Sequence, residues 1–142
     1  MRALFLISSF FVVTASVAFA GDVKVFIAPR SSLVPASGKV VFDVYWFNTA
    51  EKPRGIPNTK SYSITQVIDS RSGKSLGRAD GSVIVVDHPD PDRVIPARTM
   101  LHDQIVEDVR ITADEFAEVY ARFRGTRCGT FKSNSVILTR RR

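Results

Sequence analysis

One cysteine, two histidines, one tryptophan and two methionines are all that 142 residues contain of these types. A single cysteine, Cys128, excludes an internal disulfide, so the fold must rest on its apolar core. Two histidines, His88 and His102, fall short of the three protein ligands that a catalytic zinc usually takes, unless Asp87 and Asp103 stand beside them. No G-x-S-x-G turn, phosphate-binding loop or dinucleotide fingerprint occurs. Each of those chemistries needs its glycines at fixed spacing, so their absence argues against an enzyme. Past residue 20 no apolar run approaches the length of about 20 residues that a membrane helix needs.

The first twenty residues carry one charge, Arg2. The apolar run through Leu4-Phe5-Leu6-Ile7 and Phe10-Phe11-Val12-Val13 is interrupted by Ser8, Ser9, Thr14 and Ser16, and closes on Ala18-Phe19-Ala20 before Gly21. A basic start, a short apolar stretch and an A-x-A site are what signal peptidase requires. Residues 1–20 are therefore expected to be a signal peptide and the protein to be secreted or periplasmic, with no membrane span in its mature form. No cysteine follows the cleavage point, so no lipid anchor is expected. Residues 21–139 have the length of one ordinary domain. Residues 140–142, all arginine, read as a basic tail that solvent would fray. The net charge of +6 is mildly basic.

Along the chain, short alternating apolar segments are punctuated by turn residues, which predicts an all-β fold. Val23, Val25 and Ile27 mark a first strand. Residues 39–48 form the strongest one: Val40, Phe42, Val44 and Trp46 fall on one face, and Val41, Asp43, Tyr45 and Phe47 on the other. Being apolar on both faces, it is expected to be central. Residues 49–59, with Pro53, Gly55 and Pro57, read as a long loop. Tyr62, Ile64, Gln66 and Ile68 alternate in the next strand, followed by a turn at residues 70–73. A short strand over 74–76, a turn at 79–81 and a compact strand over 83–86 come next. Residues 87–96 hold three prolines and are expected to be irregular. Strand character returns at 100–111. Thr112 and Glu115 have the spacing of a capping box and predict a turn. Ala117 to Arg124 and Phe131 to Thr139 alternate as the last two strands, joined by a hairpin between Gly125 and Gly129. Seven or eight strands at this spacing predict an antiparallel β-sandwich.

Val40-Val41-Phe42-Asp43-Val44 running to Asn48, the alternation through Ala121 and Phe123, and the ending Lys132-Ser133-Asn134-Ser135-Val136-Ile137-Leu138 carry a resemblance. The chain resembles the small immunoglobulin-like or fibronectin type III-like modules of exported bacterial proteins, over residues 23–139. There is no Cys…Trp…Cys arrangement, and Phe116 and Ala117 stand where a tyrosine corner would be. The resemblance implies an immunoglobulin-like sandwich with an adhesion, assembly or spacer role.

Asp87, Asp90 and Asp92 are the candidate metal ligands, because a hard cation such as Ca²⁺ takes several oxygens from one loop. No bidentate Glu follows at a fixed distance, and Pro89 and Pro91 stiffen the segment, so a solvated acidic turn and no cofactor are expected. Tyr45 and Phe47 face away from Trp46 and become candidates for a partner-binding face. Arg122 and Arg124, sharing a face with Tyr120 and close to Lys132, form a stripe suited to an anionic glycan or phosphate. With one ring and an exported location, nucleic acid is not the expected partner. Cys128 at a hairpin tip is a candidate for an intermolecular disulfide, and Arg127 beside it would favour the thiolate. The expected function is a non-catalytic binding or assembly module for a protein or glycan outside the cytoplasm. Alternatives are an inhibitor or accessory subunit of a secreted enzyme, with residues 53–57 as its wedge, and a hydrolase with an unrecognised site.

Overall fold

Alternation of β-branched and aromatic residues fixes strand β2 (Lys39–Asn48) and decides which of its faces goes inward. Val40, Phe42, Val44, Trp46 and Asn48 are buried, while the intervening side chains are half-buried. The computed structural model of the protein describes residues 21–59, 65–77 and 91–142. In it β2 lies between β1 (Val23–Pro29) and β6 (Met100–Asp108), antiparallel to both, as its two apolar faces predict. A second antiparallel sheet has the order β4 (Thr65–Asp69), β7 (Phe116–Arg124), β8 (Thr130–Thr139). A two-stranded ribbon, β3 (Arg54–Ile56) with β5 (Arg93–Ile95), completes the described strands. No helix occurs among the described residues.

The two three-stranded sheets share one core, giving an all-β, sandwich-like fold. Trp46 is wholly buried and meets Phe123 and Phe131 of the opposite sheet edge-on, with centroids 5.1 and 5.5 Å away. Ile56 and Ile95 bring the ribbon into the same cluster.

Along one side the sheets are stitched together. Asn134 of β8 accepts from the Ile27 N–H (2.7 Å) and donates to the Ile27 carbonyl (3.2 Å), so one carboxamide occupies the place of a neighbouring strand. Past Pro29 the chain leaves β2 and runs parallel to the end of β8. There Val34 N–H reaches the Thr139 carbonyl at 2.7 Å, and Thr139 N–H reaches Ser32 at 2.8 Å. At the bulge between Tyr120 and Arg122, the Ser133 hydroxyl takes the Ala121 N–H at 2.9 Å.

Four expectations need revision. Residues 49–59 contain β3, and residues 87–96 contain β5, because Pro91 and Pro96 flank that three-residue strand without interrupting it. Residues 112–115 make a turn in which Asp114 adopts a left-handed φ of 65° and donates its N–H to the Arg140 carbonyl at 2.7 Å. The basic tail is correspondingly tied down: Arg140 also bonds Glu115 and Ile111, and Arg142 pairs with Asp114 at 2.6 Å. The expected segment at 74–76 is a single bridge, Ser75 to Ile68. Residues 1–20, Tyr62, Ile64, the turn at 79–81 and the strand at 83–86 lie outside the described residues.

Asn48, unlike the exposed Asn134, is buried. Its Nδ2 donates to the carbonyls of Lys52 (2.8 Å) and Pro96 (3.0 Å), and its Oδ1 accepts from Ala50 N–H (3.0 Å). Replacement strands several buried backbone groups, each costing about 1–3 kcal/mol. Asn48→Ala is expected to lose about 3 kcal/mol in urea unfolding, and Asn134→Ala about 1–2 kcal/mol. The Asn134 variant should also speed hydrogen exchange at Ile27 selectively, and unchanged exchange there would refute its role as a strand substitute.

Candidate functional site

The outward face of the β1-β2-β6 sheet is built by cross-strand register. Phe26, Tyr45 and His102 form one row, and Lys24, Phe47 and Met100 the next. Tyr45 and His102 stack with centroids 4.9 Å apart and planes 23° apart. Phe26 and Phe47 meet edge-on at 5.6 Å. Below these rows Asp43 accepts from Arg30 Nε (3.2 Å) and lies 2.9 Å from His102 Nε2, while Arg30 also reaches Gln104 at 3.2 Å. The Arg30 guanidinium, and then His102, hold the Asp43 carboxyl below the usual carboxylate range. Val41 and Val106 form a further apolar row. Met100 and Val106 are 51% and 55% exposed, so this face is open to solvent at both ends of its polar centre.

Tyr45 and Phe47 thus sit where the alternation of β2 put them. Phe26, Met100 and the Tyr45–His102 stack were missed from the sequence. Phe26 carried a signal, since it is an apolar residue on the otherwise polar side of the first strand.

Arg122 and Arg124 lie on the outward face of the other sheet. Arg122 stands opposite Lys132 and Arg124 opposite Thr130. Arg122 bonds the Gln66 amide oxygen, and Lys132 Nζ sits 4.2 Å over the Tyr120 ring. No carboxylate among the described residues is paired with Arg122, Arg124 or Lys132.

At one end of the molecule Asp92 caps the β7–β8 hairpin. Its carboxylate accepts the backbone N–H groups of Thr126, Arg127 and Cys128, each at 2.7 Å. Burial pushes its pKa up, but these three donors outweigh it and hold the carboxyl below its ordinary value. Asp87, Asp90 and His88 lie outside the described residues, and no group of three His, Cys, Asp and Glu placed to hold a metal ion occurs among the described ones. Cys128 is half-buried at the same place. Its thiol fills the notch over Gly125, where any Cβ would overlap the sulfur, and its Cβ lies 3.0 Å from where one on Gly55 would be. Burial first, then the Asp92 carboxylate, pushes the thiol up to about 12. This reverses the expected effect of Arg127, whose charge does not outweigh these two. Gly55, Asp92, Arg93, Arg127 and Cys128 line a pocket of about 650 Å³, so the segment around Gly55, residues 91–94 and the hairpin tip meet at one end. Arg93 itself pairs with Asp103 of β6 and joins the ribbon to the sheet. His102, bonded to Asp43 on a sheet face, has no contact with Cys128.

No protein-family model matches this chain, and no curated protein sequence matches it significantly.

Two measurements probe the capped hairpin. A carboxyl whose folded pKa is depressed adds stability above its unfolded pKa of about 3.9, and that stability disappears as pH falls through the folded value. Asp92→Asn is expected to cost about 2 kcal/mol at pH 7, and much less by pH 2, so the two stability curves should converge in acid. Parallel curves would show that the charge of Asp92 contributes nothing. A thiol at about 12 is ionised at pH 8 roughly a thousandfold less than a free cysteine near 8.5. Iodoacetamide should therefore label native Cys128 at least a hundred times more slowly than the urea-unfolded chain, and equal rates would contradict its packing.

Proposed function

We propose that this protein is an exported immunoglobulin-like module, without a catalytic role, that binds a protein partner through the outward face of its β1-β2-β6 sheet. The single observation that carries this reading is the double row Phe26–Tyr45–His102 and Phe47–Met100 on a sheet face open to solvent. Rings and methionine are what buried interface centres are enriched in. The manner of packing favours protein over sugar. A sugar ring needs a free aromatic face, but Tyr45 and His102 cover each other's inner faces, and Phe26 turns its ring against Phe47. What remains is a ridged apolar surface with a polar centre at Arg30, Asp43 and Gln104, the pattern of apolar anchors beside oriented hydrogen bonds that protein interfaces use. Export is supported by the leader-like residues 1–20, and the immunoglobulin-like reading by two antiparallel sheets around a buried tryptophan, with a first strand that changes sheets after Pro29.

The test is a photo-crosslinking residue at position 47, compared with one at Lys74 on the far turn, in the organism's own extracellular or periplasmic fraction. A discrete adduct at 47 and none at 74 is expected. Phe47→Ser with Met100→Ser should weaken the captured complex by about thirtyfold, the scale of one interface hot spot, while leaving the melting midpoint nearly unchanged. Identical adducts from both positions would sink the proposal.

A further inference from the structure

The other sheet presents different chemistry. Arg122 and Lys132 stand directly opposite one another on β7 and β8, an arrangement that costs stability because like charges face across a strand pair. Arg124 follows two residues on, about 7 Å along the strand. All three are exposed, and no carboxylate among the described residues neutralises them. Arg127, also exposed, lies beyond them at the hairpin tip, where the Asp92 carboxylate is turned to three backbone N–H groups. Gln66, opposite Arg122 on β4, and Thr130, opposite Arg124 on β8, flank the cations with uncharged hydrogen-bonding groups.

We infer that this stripe is a binding site for a linear polyanionic glycan, one bearing sulfate or carboxylate groups at short intervals. An unrelieved like-charge pair is unfavourable until an anion lies between its members, so the cost borne by the free protein is returned on binding. A flat sheet face admits an extended chain. The bases of a nucleic acid would need exposed ring faces, and the aromatic beside the cations, Tyr120, already has Lys132 over its ring at 4.2 Å. An anionic membrane would need apolar groups inserting beside the cations. The exposed Ile137 and Phe116 are on this face, but Glu118, opposite Ile137, separates them from the stripe with a negative charge. The site is on a different sheet from the proposed protein-binding face and does not depend on it.

The test uses fluorescein-labelled dextran sulfate, with neutral dextran, single-stranded DNA and phosphatidylserine vesicles as competitors, titrated into the protein from about 50 mM to about 300 mM salt. Dextran sulfate is expected to bind with an affinity that falls steeply with salt, and neutral dextran not at all. Arg122→Gln with Lys132→Gln should weaken binding roughly tenfold or more and flatten the salt dependence. Lys39→Gln with Lys74→Gln, which removes the same charge elsewhere, should change it less than twofold. Phe47→Ser with Met100→Ser should leave it intact, which separates failure here from failure of the protein-binding reading. The Arg122/Lys132 variant should melt no lower than the wild type, because it relieves repulsion. Equal losses in the two charge variants, no dextran sulfate binding at the lowest salt, or more effective competition by DNA or vesicles at equal charge would each overturn the inference.

Discussion

One carboxamide joins the two sheets along the side where β1 and β8 approach. A sandwich closed at neither edge leaves unpaired N–H and C=O groups along its border strands, which invite other chains to pair. Asn134 satisfies both groups of Ile27 at once, at 2.7 and 3.2 Å. With β1 held there, the chain can bend after Pro29 and continue as a parallel neighbour of β8 at Leu33 and Thr139. Everything on the outward face of the first sheet depends on that anchoring, because Phe26 reaches Tyr45 and Phe47 only while β1 keeps its register with β2.

The same device recurs. Asn48 stands in for a partner strand to the loops at 49–53 and 96–99, Asp92 caps the hairpin at 125–129, and Ser133 supplies the missing acceptor where the β7–β8 ladder shifts register. In a chain with one cysteine, short polar side chains do the cross-linking that disulfides perform in many exported domains. They differ from disulfides in one physical respect. A disulfide acts largely by restricting the unfolded chain, whereas these side chains act only when their partners are already in place, so they sharpen the native geometry of the loops they hold. The high thiol pKa of Cys128 is a by-product: a sulfur wedged over Gly125 and beside the Asp92 carboxylate loses its water and faces a negative charge.

How much of this could be read in the sequence followed the range of the interactions. Strand β2 alternates over ten residues, and its position and inward face were legible from that period; β6, β7 and β8 were legible in position, but the inward face of β8 changes at the bulge, where one period no longer holds. The three-residue strands β3 and β5 show less than two full periods, and with prolines at 53, 57, 91 and 96 around them they read as loops. Asp92 looked like one of three clustered acids because its real partners are 34 to 36 residues away. Asn48, Ser133 and Asn134 were legible as parts of strand patterns but not as cross-linkers, since a polar residue in or at the end of a strand is ordinary until its hydrogen-bond partner is known. Tyr45 and Phe47 were legible as outward rings. The stacking of Tyr45 on His102 was not, because it needs the register between β2 and β6.

The two outward faces therefore owe their contrast to cross-strand register. On one, pairing brings together Tyr45 with His102, and Phe47 with Met100; on the other, Arg122 with Lys132. A slip of one residue in either sheet would exchange inner and outer side chains and destroy both faces. That is why the surrogates at Asn134 and Ser133 bear on both outward faces as well as on stability: each sits at a point where a strand could slip. β7 changes register between Tyr120 and Arg122, at the upper limit of the basic stripe's aromatic contact. The bulge turns Arg122 toward Lys132 while Ala121 remains buried. A regular ladder would leave the Ser133 hydroxyl without its Ala121 donor and shift Lys132 away from Arg122. The like-charge pair is thus placed by the fold's own irregularity.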